Sequence, residues 1–86
     1  MENYSRNQAA VNELKKLGYP LPNIRRALLE LVDLRQQAIA KEVGIYRTGV
    51  TKYIKGFRQK TVHLEAIADL LDVPADELFS DVYKAA

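Results

Sequence analysis

The spacing of apolar residues along the chain predicts a series of short amphipathic helices. Between Asn7 and Leu17, apolar side chains recur at intervals of three and four residues, and Gly18 follows where this first helix should end. The stretch 19–22 interrupts the pattern with two prolines, which lack a backbone N–H and disfavour helix in the residue before them. Because no strand-like alternation of useful length occurs, the expected fold is all-α.

The second helix, expected to begin near Pro22 or Asn23, has one apolar and one polar face. The residues expected to face the core are Ile24, Leu28, Leu31 and Val32. The residues expected to face solvent are Arg25, Arg26 and Glu30. On this pattern both arginines of the helix lie outside the core.

The later helices are placed by their starting residues. Asp33, followed three residues later by Gln36, fits a capping box that opens the third helix, although Arg35 would be a poor cap if the helix begins at Gln36 itself. Thr61 is expected to cap another helix, and Pro74 to occupy the first position of the last one. The whole pattern predicts a compact bundle of five to six short helices.

Residues 36–56 contain two short helical stretches joined by a glycine. The apolar positions of the two stretches are Ile39, Ala40 and Val43, followed by Val50, Tyr53, Ile54 and Phe57. Gly44 can adopt a positive φ without steric cost, which lets the chain turn sharply, and Ala40 is small where the two helices must come close. The pattern therefore predicts a helix, a tight turn and a second helix that face one core.

Charge is distributed unevenly along the chain. The net charge is only +2, yet residues 35–60 carry seven basic side chains against one acidic, and residues 61–86 carry six acidic against one basic. The outward face of the second stretch contains no acid and consists of Arg47, Thr48, Thr51, Lys52 and Lys55. Arginine matches guanine O6 and N7, lysine binds phosphate or guanine, and threonine offers a hydroxyl and a methyl. Such a face suits the major groove of double-stranded DNA.

The two helical stretches contain a motif of six residues with the spacing Q-x3-A-x3-G-I-x4-V-x5-G. Its members are Gln36, Ala40, Gly44, Ile45, Val50 and Gly56. Downstream, the segment LEAIADLLDVPADELF continues the pattern. Together they resemble the lambda-repressor-like, Cro/CI or XRE, family of helix-turn-helix proteins, over about residues 22–80. The resemblance implies a DNA-binding transcriptional regulator without a cofactor. It also implies that the second helix of the pair, the recognition helix, contacts the DNA.

The resemblance also implies roles for individual residues. Base edges would be contacted by Arg47, Thr48, Thr51 and Lys52. The DNA backbone would be contacted by Gln36, Tyr46, Lys55, Arg58 and Lys60. The turn and its packing would depend on Ala40, Gly44, Ile45 and Val50. Two positions depart from the family pattern. Tyr46 replaces a capping Ser or Thr and is left to pack or to reach DNA, and Gly49 costs up to about 1 kcal/mol against alanine inside a helix.

A homodimer is expected because one recognition helix covers only a few base pairs. Each good bidentate contact discriminates by roughly 1–3 kcal/mol, too little to select one site in a genome. Two-fold symmetry would place the two recognition helices about 34 Å apart on a pseudo-palindromic operator. Since family relatives often pair near the end of the domain, the first expected dimer surface is Leu78, Phe79, Val82 and Tyr83. The N-terminal helix is the second.

The sequence therefore divides into an N-terminal extension with a short helix and a proline-rich turn at 1–21, a helix-turn-helix domain at 22–82 and a C-terminal tail at 83–86. For residues 1–20 three roles remain open: extra core, a dimer contact, or an arm that contacts DNA. The expected activity is that of a repressor or dual regulator of phage or bacterial type.

Other classes of function lack the residues they need. Cysteine is absent and His63, expected on the surface near a helix start, is the only histidine, so we expect no metal, cofactor, enzyme activity or small-molecule ligand. No apolar run approaches about eighteen residues and the first residues are too polar for a signal peptide, so we expect a cytoplasmic protein without membrane contact. The rival hypothesis is a protein-interaction module, such as an antitoxin or an anti-repressor partner, built on the same helices.

Overall fold

The computed structural model describes the backbone of residues 6–85 and the side chains of residues 6–83. The first five residues of the expected N-terminal extension and the end of the expected tail lie outside the described residues. Within this part of the chain there is no strand, and the all-α class is confirmed. The helices are α1 (Arg6–Lys16), α2 (Leu21–Leu31), α3 (Gln36–Val43), α4 (Arg47–Lys55), α5 (Thr61–Leu70), α6 (Ala75–Leu78) and α7 (Ser80–Ala85).

The expected capping residues are wrong at three helix starts. Asp33 adopts a left-handed conformation with φ 54° and ends α2, since the N–H of the next residue, Leu34, donates to the Leu29 carbonyl at 2.9 Å. The N-cap of α3 is instead Arg35, whose side chain makes no capping hydrogen bond. Lys60 rather than Thr61 precedes α5, and Pro74 is the N-cap of α6 rather than its first residue.

The last predicted helix is divided in two. Phe79 has φ −120° and ψ 29°, outside helical geometry, and separates α6 from α7. For this reason residues 6–85 contain seven helices where five to six were expected. The break lets two consecutive short helices, rather than one long one, cover the core.

A single core lies between the helices, and α1 contributes to it. Val11 is fully buried, and Asn7 Nδ2 donates to the carbonyl of Leu71 at 2.7 Å, at the end of α5. Lys15 Nζ lies 3.6 Å from the Glu77 carboxylate on α6. Of the three roles left open for the N-terminal segment, the structure gives residues 6–16 the first, extra core.

Two apolar positions that were expected in the core are exposed. Leu31, at the end of α2, is 54% exposed, and Leu29 is buried in its place. Phe57 is 73% exposed, because Gly56 with φ +87° ends α4 and turns the chain away from the helical register before the phenylalanine is reached. Tyr53 is buried as expected, and its hydroxyl lies 2.8 Å from Nδ1 of His63, which is half-buried rather than on the open surface.

The expectation that Arg25 points to solvent is also wrong, since its side chain is fully buried. Its Nη1 and Nη2 donate to the two carboxylate oxygens of Asp81, on α7, at 2.8 and 3.1 Å. Its Nε donates to the carbonyl of Ile54 at 2.7 Å, and Nη1 also donates to the carbonyl of Leu78 at 2.9 Å. Because each of the three guanidinium nitrogens donates to an acceptor, and the Phe79 ring lies 4.8 Å from the group, the charge can be buried.

This ion pair should make the stability of the fold depend on pH in the acidic range. Burial raises the pKa of Asp81, but the hydrogen bonds and the charge of Arg25 outweigh it, and the pKa lies below its ordinary value. As the pH falls, the Asp81 carboxyl is therefore protonated at a higher pH in the unfolded chain than in the folded one. The stability that the ion pair contributes is complete above the ordinary pKa of aspartate, and it is lost as the pH falls through the pKa of the folded state.

We expect the difference in melting temperature between the native chain and Asp81→Asn to narrow as the pH falls below the ordinary pKa of aspartate, because the native carboxyl is then progressively protonated and loses its charge. Thermal unfolding followed by circular dichroism at each pH measures this difference. A constant difference across the range would contradict the assignment of the ion pair.

Candidate nucleic-acid interface

A sharp turn at Gly44 places α3 against α4. Gly44 is in the left-handed conformation with φ 84°, and its N–H donates to the Ala40 carbonyl at 2.8 Å. The same carbonyl accepts the N–H of Ile45 at 3.0 Å, which completes the end of α3. Ala40 and Val50 are buried and Ile45 is half-buried, so the four residues predicted for the turn and its packing meet at this junction.

The two faces of α4 differ sharply in exposure. Val50, Tyr53 and Ile54 are buried in the core. The residues predicted to contact DNA lie on the other face, where Arg47, Thr48, Lys52 and Lys55 are exposed and Thr51 is half-buried. Since α4 contains no acidic residue, this face is a continuous cationic and hydroxyl surface. We call it the basic face.

One hydrogen bond joins the basic face to the start of α3. The hydroxyl of Thr51 donates to Oε1 of Gln36 at 2.5 Å, and it also lies 3.3 Å from the carbonyl of Arg47. A hydroxyl has a single proton, so the shorter bond takes it and the methyl and a lone pair of Thr51 remain for a partner. Gln36 keeps both amide protons for an acceptor such as a phosphate oxygen.

The starts of α3 and α4 offer backbone donors. Neither Arg35 nor Tyr46, the two N-cap residues, makes a side-chain hydrogen bond to the helix that follows. The first N–H groups of both helices therefore lack a side-chain acceptor and carry a partial positive charge. Such helix starts bind phosphate readily, and both lie beside basic side chains.

Tyr46 stands at the edge of an open groove beside the basic face. Its side chain is 86% exposed, and the groove, of about 490 Å³, lies between α3 and the turn. Lys41 on α3 and Arg47 on α4 line the same groove. Lys41 received no role from the sequence, although its position inside the basic stretch 35–60 was the signal that could have identified it.

The basic surface continues beyond the end of α4. Arg58 and Lys60, both predicted backbone contacts, are exposed. Arg58 folds back over α4, since a Cβ placed on Gly49 would lie 3.8 Å from its Nη1. The exposed ring of Phe57 lies between Lys55 and Arg58 in the chain and had been expected in the core.

Gly49 has room for a side chain within the protein. A Cβ added there would meet Ile45 Cδ1 at 3.6 Å, an ordinary contact, so a close neighbouring helix is not what requires glycine. We expect Gly49→Ala to stabilise the fold by up to about 1 kcal/mol through helix propensity. In a domain of this size that raises the melting temperature by roughly 4–8 °C.

Thermal unfolding by circular dichroism tests this expectation, and a lower melting temperature would refute it. The same variant tests a second explanation for the glycine, which is a close approach of DNA to the backbone of α4. If the backbone of α4 approaches DNA closely at Gly49, the variant will bind DNA more weakly while being the more stable protein.

The first expected dimer surface is wrong for three of its four residues. Leu78 and Phe79 are fully buried and Val82 is 2% exposed, because α6 and α7 cover the core with these side chains. Only Tyr83 keeps part of its surface, beside Glu65 and Asp76. Burial and these carboxylates raise the pKa of Tyr83.

Two other properties concern the described part of the chain alone. No helix among residues 6–85 combines the length and the apolar character that crossing a membrane would need. The same residues contain no group of three or more histidine, cysteine, aspartate or glutamate side chains placed to hold a metal ion.

The chain matches a known protein family. A model of a helix-turn-helix family of Cro/C1 type, also called the XRE family, matches residues 24–78. The match covers well over half of the chain, from α2 to the end of α6, and includes the turn at Gly44. No curated protein and no solved structure matches the chain significantly.

Proposed function

Since the chain belongs to the Cro/C1-type, or XRE, helix-turn-helix family, whose domain is a DNA-binding and non-enzymatic one, we propose that it is a sequence-specific repressor of transcription. In this proposal it binds a pseudo-palindromic operator as a homodimer. The observation that carries the proposal is the exposed basic face of α4, free of acidic residues and flanked by two helix starts without side-chain caps.

In the proposed complex, α4 enters the major groove with its basic face toward the bases. Arg47 and Lys52 bind guanine edges, and the methyl groups of Thr48 and Thr51 contact thymine methyls. The N-terminal ends of α3 and α4 lie against phosphates, and the side chains that reach the backbone are Gln36, Tyr46, Lys55, Arg58 and Lys60. Repression follows from occupancy alone, because a bound protein excludes others from the same stretch of DNA.

The acidic side of the molecule supports this orientation. Glu65, Asp69 and Asp76 line a groove on α5 and α6, and none of them lies on α3 or α4. DNA repels this side and attracts the basic face, so the charge distribution orients the protein before contact is made.

The homodimer part of the proposal now rests on the N-terminal helix, the second expected surface. Leu17 and Tyr19, directly after α1, are 67% and 52% exposed. Sedimentation of the protein with and without DNA tests this part. A single protein molecule bound to an operator that contains two inverted half-sites would contradict it.

Salt dependence distinguishes the proposal from the rival protein-interaction module. DNA binding through several phosphates predicts that log K falls linearly with log salt, with a slope of about −0.9 for each phosphate neutralised, whereas a mainly apolar protein interface depends little on salt. Fluorescence anisotropy on a labelled duplex of mixed sequence measures the slope. No binding in dilute buffer would contradict the proposal.

Lys60→Ala should weaken binding to all sequences alike and make the salt slope shallower by about one, because Lys60 is proposed to contact a phosphate and not a base. The control is Arg6→Ala, which removes the same charge from an exposed position at the start of α1, at the opposite end of that helix from Leu17 and Tyr19. It should leave the slope unchanged. A slope that is the same in the native chain and in Lys60→Ala would remove Lys60 from the interface.

A further inference from the structure

A buried arginine in α2 takes its counter-charge from outside the segment that matches the family. Arg25 is fully buried and belongs to residues 24–78, but Asp81, its carboxylate partner among the described residues, lies beyond them on α7. A buried charge that loses its partner is strongly unfavourable. The segment that matches the family therefore depends on α7.

The same guanidinium holds the end of the recognition helix. The carbonyl of Ile54 belongs to the last turn of α4, where carbonyl groups lack a partner within the helix, and it accepts the hydrogen bond from Arg25 Nε at 2.7 Å. Arg25 is thus a side-chain cap for α4 that is donated by another helix.

Gly56 brings the end of α4 directly onto the ion pair. It adopts φ +87° as the C-cap, and a Cβ there would lie 3.1 Å from both Arg25 Nη2 and Asp81 Oδ2. With the bond from Arg25 to the Leu78 carbonyl, one side chain joins α2, α4, α6 and α7. The position of the C-terminal end of α4 is therefore set by this pair.

We infer that Arg25 and Asp81 are positioning residues for DNA recognition, which fix the C-terminal end of α4 and make α7 part of the recognition unit. The inference rests on the proposed function. Arg25 is buried, so it acts on DNA only through α4. A binding site loses its contacts when the residues that support it allow it to shift by about half an ångström. An α4 that is held less tightly would therefore misplace the basic face.

The first test replaces the pair with apolar residues of similar volume, Arg25→Met with Asp81→Leu. Such replacements of buried ion pairs often keep stability. We expect a folded protein whose affinity for its selected operator falls roughly tenfold or more, while its affinity for mixed-sequence duplex, which depends on charge, changes little. A folded double variant that binds the operator like the native chain would overturn the inference.

The second test is Asp81→Asn, which keeps the shape of the side chain and removes its charge. At temperatures where it is folded, the amides of Gly56 and Phe57, which close the end of α4 through bonds to Tyr53 and Lys52, should exchange faster. Unchanged exchange there would overturn the inference. So would a failure of both variants to fold at any temperature, because the pair would then serve the whole fold and not α4.

The control is Glu77→Gln, which removes the ion pair with Lys15 and keeps a side-chain oxygen that can accept from Gln8 Nε2. It touches neither α4 nor the buried pair. It should change neither operator affinity nor exchange at Gly56. Hydrogen exchange is measured without DNA, so it separates a failure of the proposed function from a failure of the inference about Arg25 and Asp81. A native chain that binds no DNA defeats the proposed function, and the exchange data still decide whether the pair holds α4.

Discussion

Gly56→Ala should cost roughly 2–5 kcal/mol of stability, while Gly44→Ala should cost only about 1–2 kcal/mol. Both glycines have nearly the same left-handed φ, +87° and +84°, so alanine is strained to the same extent at both positions. Their surroundings differ. Nothing lies within 4 Å of a Cβ at Gly44, whereas at Gly56 the Cβ meets both members of the buried ion pair at 3.1 Å.

The additional cost at Gly56 comes from overpacking, because Arg25 or Asp81 must shift by a few tenths of an ångström and the hydrogen bonds of the buried pair are distorted. A domain of this size has a total stability of only about 4–13 kcal/mol, so the variant should lose a large share of it. Urea unfolding followed by circular dichroism gives both free energies. Equal losses at the two glycines would mean that the pair does not support the end of α4.

Arg47→Ala should weaken binding to the preferred operator by roughly ten- to a hundredfold and relax the sequence preference at one base position. The estimate corresponds to the 1–3 kcal/mol of a bidentate contact between arginine and guanine. Arg47 is the first residue of α4, exposed, and beside the open groove that Tyr46 and Lys41 line. Its place at the exposed N-terminal end of α4 fits the base contact that we propose for it.

Equilibrium titration with the operator and with single-base variants of it measures both effects. Arg6→Ala again serves as the control for loss of one positive charge, and it should change affinity by less than about twofold. If Arg47→Ala loses affinity equally for every sequence, Arg47 contacts the backbone and the assignment to a base is wrong.

The turn and the basic face could be predicted because their signals are local. Gly44 in the register with Ala40 and Val50 marks a turn between two amphipathic helices, and the spacing of Arg47, Thr48 and Lys52 fixes which face they share. These positions need no knowledge of distant residues. The exposure of the basic face follows directly from the burial of the apolar stripe on the opposite side of α4.

The buried ion pair could not be predicted in the same way. Arg25 stands in register with Leu28, Leu29 and Val32, at the spacing of a buried stripe, so a positional signal was present. An arginine is placed outside the core by default, since burial requires a partner, and that partner lies 56 residues away. Only the folded chain brings Asp81 to Arg25.

The prediction of the dimer surface was wrong for a related reason. Leu78, Phe79 and Val82 are apolar residues near the end of the chain, and the sequence alone does not tell whether such residues complete the core or face a second molecule. Phe79 interrupts the helix, and the three side chains turn inward. Phe57 is the opposite case, an apolar residue in helical register that the positive φ of Gly56 turns outward.

Selection of bound duplexes from a pool of random sequence determines whether the basic face of α4 recognises a DNA sequence. We expect an enriched motif with two inverted half-sites whose centres lie about one helical turn apart. We also expect that the same selection with Arg47→Ala enriches a motif with one position of each half-site relaxed. A pool that remains random after repeated selection in dilute buffer would show that the basic face does not recognise a DNA sequence.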